Sequence, residues 1–160
     1  MLDVHHQPTP IVLDTRLSIT PQAKLVLNGR NGVMPPPVVI CDQKMLLHTD
    51  EQSSSVEQHG DMRDVSSVVG SRLVALAQAG VQIVGCDTKD DRLDLAQVFR
   101  QPQLGNSVMV EGGAQVISTV LAQGLCDIVI ITVSPKIVGD GVSAFQPGVS
   151  LDPTSHGMHT

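Results

Sequence analysis

The sequence predicts an α/β fold with a mostly parallel sheet that is flanked by helices. From residue 10 onward, short runs of β-branched residues alternate with stretches whose apolar residues recur at helical spacing. Such alternation is typical of strand-helix-strand units. The run at 38–41 is continuously apolar, as in a strand that is covered on both faces. A chain of 160 residues can bury a core of its own without disulfides.

The first half of the chain is predicted to contain three strands and two helices. These elements are a strand at 11–13, a helix at 22–27, a strand at 38–41, a helix from 65 to Gly80 and a strand at 81–84. Thr20-Pro21 suits the N-cap and first position of the first helix, and Asn28-Gly29 is predicted to end it. The polar segment 48–64 is predicted to be a solvated loop.

The second half is predicted to contain two helices and two strands. They are a short helix at 93–99, a strand at 107–110, a helix at 113–123 that ends at Gly124, and a strand at 128–133. We expect residues 1–9 to be a tail, residues 10–145 a single domain, and residues 146–160 a second tail. The first residues lack the pattern of a signal peptide and no apolar run is long enough to span a bilayer, so we expect a cytoplasmic protein.

Composition argues against several classes of partner. The formal net charge is -6, and the 10 Lys and Arg residues are scattered, which gives no basic patch for nucleic acid or an anionic membrane. With 2 Phe and no Tyr or Trp, stacking on bases is not expected. The three cysteines Cys41, Cys86 and Cys126 border apolar runs and are predicted to be reduced, half-buried thiols. The histidines lie in tails and polar segments, so no metal site is expected. A small molecule is the expected partner.

The segment at 107–117 carries the strongest functional signal. An apolar run ends at Glu111-Gly112-Gly113 and passes directly into an amphipathic helix. Glycines let backbone amides approach a phosphate, and the start of a helix favours negative charge. The same pattern also fits a tight connection without a ligand. Glu111, at the predicted carboxyl end of a strand, is either a hydrogen-bond acceptor for a substrate or a solvated charge.

A second candidate group follows the first strand. Asp14, Thr15 and Arg16 end that strand at the edge where parallel pairing also places the glycine turn. Thr15 offers a hydroxyl and Arg16 a guanidinium, which suit a ribose and its 2′-phosphate.

Several motifs resemble one enzyme family. Val-Glu-Gly-Gly-Ala at 110–114, Gly-Leu-x-Asp at 124–127 and Pro-Lys-x-x-Gly-x-Gly at 135–141 occur in the order found in the pyrimidine reductases of riboflavin biosynthesis. These include the C-terminal reductase domain of bacterial bifunctional deaminase-reductases. The segment PTPIVLDTRLSITPQAKLV at 8–26 resembles the same family and is most similar to its fungal type.

The resemblance implies a dihydrofolate-reductase-like fold, and a homodimer that uses NADPH to reduce the ribosylamino side chain of a diaminopyrimidinone 5′-phosphate to ribitylamino. It places Thr15 beside the adenosine ribose and Glu111 at the substrate. The residues it places around the cofactor phosphates are Gly112, Gly113, Ala114, Gln115 and Val116. The role of Arg16 at the 2′-phosphate is inferred from its charge and not from the resemblance.

The resemblance covers residues 8–145, and the family's N-terminal third and closing strands have no counterpart here. The sequence therefore predicts a sheet that is incomplete at both ends. Three alternatives stay open: a reductase completed by a partner chain, a diverged copy that binds NADPH without turnover, and a non-catalytic structural remnant. We favour the reaction of the family.

Overall fold

A computed structural model describes residues 7–47, 65–135, 139 and 141–146. The chain divides into two compact units, Met1–Leu104 and Gly105–Thr160. The predicted loop at 48–64 lies outside the described residues, as do most of the two predicted tails. The prediction of a single domain over 10–145 stays a prediction.

A three-stranded parallel sheet forms the centre of the first unit. Its strands are β1 (Ile11–Leu13), β2 (Val38–Asp42) and β3 (Gln82–Cys86), and they lie side by side in chain order. Ile11 pairs with Val38, and Val38 pairs with Gln82. This arrangement confirms the predicted α/β class with a parallel sheet.

The helices that connect the strands pack on one face of the sheet. They are α1 (Lys24–Arg30), α2 (Lys44–Leu47) and α3 (Val65–Gln78). Each strand is added beside the previous one, so right-handed connections place the helices on the same side. The buried core of this layer contains Leu17, Val26, Val39, Cys41, Val69, Leu73, Leu76, Ala79 and Val81.

The observed bounds of the first helix, Lys24–Arg30, differ from the predicted bounds of 22–27. It begins at Lys24 after Ala23, which has no side-chain capping bond, and Thr20 instead closes the preceding turn by accepting the Ala23 N–H at 3.0 Å. Asn28-Gly29 does not end the helix, which continues to Arg30. Gly29 serves packing instead, because a Cβ there would lie 2.9 Å from Pro36 Cα.

The first unit ends with a small hairpin and two short helices. β4 (Thr88–Lys89) and β5 (Arg92–Leu93) pair antiparallel, and α4 (Leu95–Val98) and a 3₁₀ helix (Pro102–Leu104) follow. The hairpin was not predicted. Its two-residue turn, Asp90-Asp91, has φ of 52° and 57°, as in a type I′ turn.

The second unit contains the helix α5 (Ala114–Ala122), close to its predicted position, and Gly124 follows with φ 61°. The buried Ser118 hydroxyl of α5 accepts the Gln146 N–H at 2.8 Å. The predicted strands at 107–110 and 128–133 are wrong: residues 105–135, 139 and 141–146 contain no strand. Strands need neighbours for their backbone groups. Here Ile128, Ile130 and Val133 are instead 79%, 85% and 82% exposed.

All three cysteines are free thiols, as predicted. Cys126 is half-buried as predicted, whereas Cys41 and Cys86 are fully buried because they lie within the paired strands β2 and β3. The register pairs Cys41 with Gly85, so the side chains of Cys41 and Cys86 lie on opposite faces of the sheet. Burial, reinforced by the charges of Asp14 and Asp42, raises the pKa of the Cys41 thiol from 9.0 to about 11. Burial also raises the pKa of Cys86, against a hydrogen bond from Gln101 that lowers it. A thiol that resists ionisation is a poor nucleophile.

Within the described residues, no helix combines the length and the apolar character needed to span a bilayer.

Candidate functional site

The loop at residues 14–19, here called the β1 loop, continues from the carboxyl end of β1. The Asp14 N–H donates to the Ile40 carbonyl at 2.9 Å, and the Asp42 N–H donates to the Thr15 carbonyl at 3.0 Å. The loop thereby stays attached to β2 after β1 has ended. Because Thr15 and Arg16 follow the carboxyl end of β1, both candidates lie at the edge where open α/β sheets bind ligands. Thr15 is half-buried and Arg16 is exposed.

Asp14 shapes the β1 loop. One of its carboxylate oxygens accepts the Ser18 hydroxyl at 2.9 Å, and the other accepts the Ile19 N–H at 2.7 Å. Both oxygens are therefore used within the loop. This carboxylate orders the backbone that carries Thr15 and Arg16.

Leu17 has an unusual conformation for its residue type. Its φ is 50°, in the left-handed region, and its side chain is fully buried. Its carbonyl accepts a hydrogen bond of 2.8 Å from the guanidinium of Arg72 on α3. Reasoning from the sequence did not identify Arg72. The available signal was its position as the one charged residue in VSSVVGSRLVALAQ.

Arg16 is an available cation. Within the described part of the chain its guanidinium makes no hydrogen bond or ion pair. A guanidinium has five N–H donors in a fork that matches phosphate oxygens. Arg16 can therefore bind an external anion without first breaking a contact to a described residue.

The glycine turn, residues 111–113, leads into α5. Gly113 is the N-cap of the helix, with extended backbone and no side-chain capping bond. A Cβ on Gly113 would meet nothing within 4 Å, whereas a Cβ on Gly112 would lie 2.9 Å from the Val116 Cβ. Gly112 therefore allows the turn to pack on its own helix, and Gly113 leaves open space at the start of the helix.

The start of α5 suits an anion. Its first turn contains no acidic residue, and its partial positive charge is not offset by a capping side chain. The open space at Gly113 and the backbone donors of the first turn fit a phosphate group. Ala114 and Val116 are half-buried and Gln115 is exposed.

Glu111 is exposed. It was predicted to end a strand, but the residues before it form none, so that placement is wrong. A contact between Glu111 and a substrate stays a prediction.

The predicted site residues thus form two groups. Thr15 and Arg16 share the β1 loop in the first unit, and Glu111 to Val116 share the turn and first turn of α5 in the second. Their assembly into one site stays a prediction.

Other polar residues at this sheet edge have local partners. Asp42 accepts the Lys44 N–H at 2.9 Å and the Thr88 hydroxyl at 3.2 Å. Asp87 is bonded to Gln97 through both its N–H, at 2.6 Å, and its carboxylate, at 3.3 Å. Among the described residues, no three His, Cys, Asp or Glu side chains are grouped to hold a metal ion.

Comparison with known proteins identifies the family. The model of the RibD C-terminal domain matches residues 2–156, nearly the whole chain. The chain belongs to the RibD C-terminal domain family. The predicted relationship to the reductase domain of riboflavin biosynthesis is thereby confirmed, and the parallel sheet flanked by helices agrees with the predicted dihydrofolate-reductase-like fold.

A curated relative supports the same assignment. The riboflavin biosynthesis protein RibD of Actinobacillus pleuropneumoniae is 28% identical over 144 residues, which cover 84% of this chain and 36% of that protein. The chain thus spans about a third of the relative's length. No solved structure matches the chain significantly.

The RibD C-terminal domain match extends over both compact units. The β1 loop and the glycine turn therefore belong to the same family domain, although they lie in different units.

Proposed function

We propose that the chain is an oxidoreductase of riboflavin biosynthesis. Its reaction is the NADPH-dependent reduction of the ribosylamino side chain of a diaminopyrimidinone 5′-phosphate to ribitylamino. The observation that carries the proposal is the family match over residues 2–156. The printed name of the Actinobacillus relative, a riboflavin biosynthesis protein, supports the same pathway.

The cofactor phosphates are assigned to the start of α5. Support comes from the uncapped helix start and from the open space at Gly113. In this assignment Gly112, Gly113 and Ala114 let the phosphate approach the backbone, and Gln115 and Val116 complete the first turn around it. Backbone donors and the helix dipole together stabilise a bound phosphate.

The adenosine end of NADPH is assigned to the β1 loop. Thr15 would contact the ribose, and the exposed guanidinium of Arg16 would bind the 2′-phosphate. Charge-assisted, bidentate bonds of this type distinguish NADPH from NADH, which lacks that phosphate. The absence of a competing partner for Arg16 among the described residues supports this role.

The substrate is assigned to Glu111, whose carboxylate would accept hydrogen bonds from a hydroxyl or amine. When bound, reduced nicotinamide supplies a hydride, which together with one proton reduces the opened sugar. The protein contributes binding and orientation.

A cytoplasmic homodimer is part of the proposal, and the exposed apolar residues Ile128, Ile130 and Val133 offer a surface for a second copy.

Calorimetric titration of Gly113→Asp with NADPH tests the phosphate assignment. Asp is a favourable N-cap, and its side chain would enter open space, so the variant should fold at least as well as wild type. Its charge and bulk should nevertheless abolish NADPH binding, with a loss of about a hundredfold or more.

Gly113→Ala is the matched control, because it adds the Cβ without a charge. We expect it to lose less than about tenfold in affinity. Equal affinity of Gly113→Asp and wild type would refute the phosphate site. Turnover of the pyrimidine substrate by wild type then distinguishes a reductase from a protein that binds NADPH without reaction.

A further inference from the structure

The bond from Arg72 to Leu17 connects α3 to the β1 loop. It joins residues 55 positions apart in the chain, and its length is 2.8 Å. We propose that Arg72 is a positioning residue that fixes the β1 loop for binding of the cofactor 2′-phosphate, an inference that rests on the proposed function.

Hydrogen bonds hold the β1 loop from within, from the sheet and from α3. Asp14 bonds Ser18 and Ile19 from within the loop, and the Asp42 N–H holds the Thr15 carbonyl to the sheet. Among the described residues, the bond from Arg72 is the one side-chain hydrogen bond that reaches the loop from a helix. It holds the middle of the loop to α3, together with the packing of the Leu17 side chain in the core.

The anchored residue is the strained one. A left-handed conformation is unfavourable for Leu, and such conformations persist where surrounding structure imposes them. Two interactions hold Leu17 in this conformation: the complete burial of its side chain and the charge-assisted bond at its carbonyl.

The geometry transmits this anchor to Arg16. The φ angle of Leu17, 50°, sets the plane of the peptide bond that links it to Arg16. Fixing Leu17 thus constrains the backbone from which the exposed side chain of the neighbouring Arg16 extends. Arg72 itself is half-buried and its guanidinium is directed at a backbone carbonyl, so it acts on the loop and not on the cofactor.

The test compares Arg72→Met with Arg72→Lys and Arg100→Met. Met keeps much of the apolar stem but cannot donate, whereas Lys keeps one charged donor and should rescue the bond. Arg100 is exposed and follows α4 in the sequence, outside both the β1 loop and α3. Arg100→Met therefore controls for the loss of one positive charge.

The first readout needs no cofactor. Trypsin cleaves after Arg16, and cleavage requires local opening of the loop. Mass spectrometry of the fragment that ends at Arg16 should show cleavage about tenfold faster in Arg72→Met than in Arg100→Met. Arg72→Lys should stay within about threefold of wild type.

The second readout is the ratio of NADPH to NADH affinity on the full chain. General destabilisation lowers both affinities equally and leaves the ratio unchanged. A displaced Arg16 should reduce the ratio in Arg72→Met by about tenfold. Unchanged cleavage, or faster cleavage with an unchanged ratio, would overturn the positioning role. Wild-type protein that binds neither cofactor would refute the proposed function and the cofactor role of Arg72 together, while the cleavage rates would still report whether Arg72 fixes the loop.

Discussion

Gly29 of α1 lies directly against the backbone of Pro36. A Cβ built on Gly29 would come within 2.9 Å of the Pro36 Cα and 3.1 Å of the Pro37 Cδ. Backbone and ring atoms cannot move aside as a flexible side chain can. The close approach packs α1 against the residues that lead into β2, and it explains why a glycine lies inside this helix.

Gly29→Ala is expected to destabilise the protein by about 1–3 kcal/mol, because overpacking outweighs the better helix propensity of Ala. Gly70→Ala in α3 is the matched control, since a Cβ there would meet nothing within 4 Å. That variant should stabilise by about 0.5–1 kcal/mol. Urea unfolding measures both. Stabilisation by both changes would show that α1 tolerates the added methyl group.

Stability is expected to fall at alkaline pH through Cys41. Burial raises the pKa of this thiol from 9.0 to about 11, so above pH 9 the unfolded chain releases a proton that the folded chain keeps. The contribution of the Cys41 thiol to the free energy of unfolding is complete below pH 9.0 and is lost as the pH rises to about 11. We expect the free energy of unfolding to fall by up to about 2 kcal/mol between about pH 8 and about pH 10.5.

Cys41→Ala is the control for this pH dependence. The variant should be less stable at neutral pH, because it leaves a small cavity, but its stability should decline less steeply at alkaline pH. Urea unfolding across the pH range compares the slopes. Identical slopes in the two proteins would assign the decline to other groups.

Arg16→Ala is expected to weaken NADPH binding by about tenfold or more and NADH binding by less than about threefold. The reason is that NADH lacks the phosphate proposed to contact the guanidinium. Calorimetric titration with both cofactors measures the difference, and Arg100→Ala serves as the exposed control. Equal losses for the two cofactors would remove Arg16 from the 2′-phosphate.

The three strands of the sheet and the helices α1 and α3 could be predicted because their signals are local, whereas the four-residue helix α2 was not predicted. The β-branched run that ends at Cys41 and the helical spacing up to Gln78 each indicate one element without reference to the rest of the chain. The hairpin could not be predicted in the same way. Its strands have two residues each, and Asp90-Asp91 lacks the glycine that usually marks such a turn.

The two strands wrongly predicted in the second unit show the opposite failure. Ile128, Ile130 and Val133 have high strand propensity, but propensity does not supply a neighbour to pair with. The residues of the candidate site likewise divide into those that the sequence identifies and those that it does not. The roles proposed for Gly113 and Arg16 follow from their residue types, a missing Cβ and a guanidinium, which can be read from the sequence. Arg72 acts on a backbone carbonyl 55 residues away, and every residue type offers such an acceptor.

The chain-order arrangement of β1, β2 and β3 has a consequence for biosynthesis. β2 and β3 each pair with the strand that the ribosome produced just before them, so the described sheet needs no strand encoded after β3. Among the described residues, the hydrogen-bond ladder of this sheet ends in sequence at Cys86, before α5 is translated. The sheet that carries the β1 loop can therefore assemble while the segment with the glycine turn is still being synthesised.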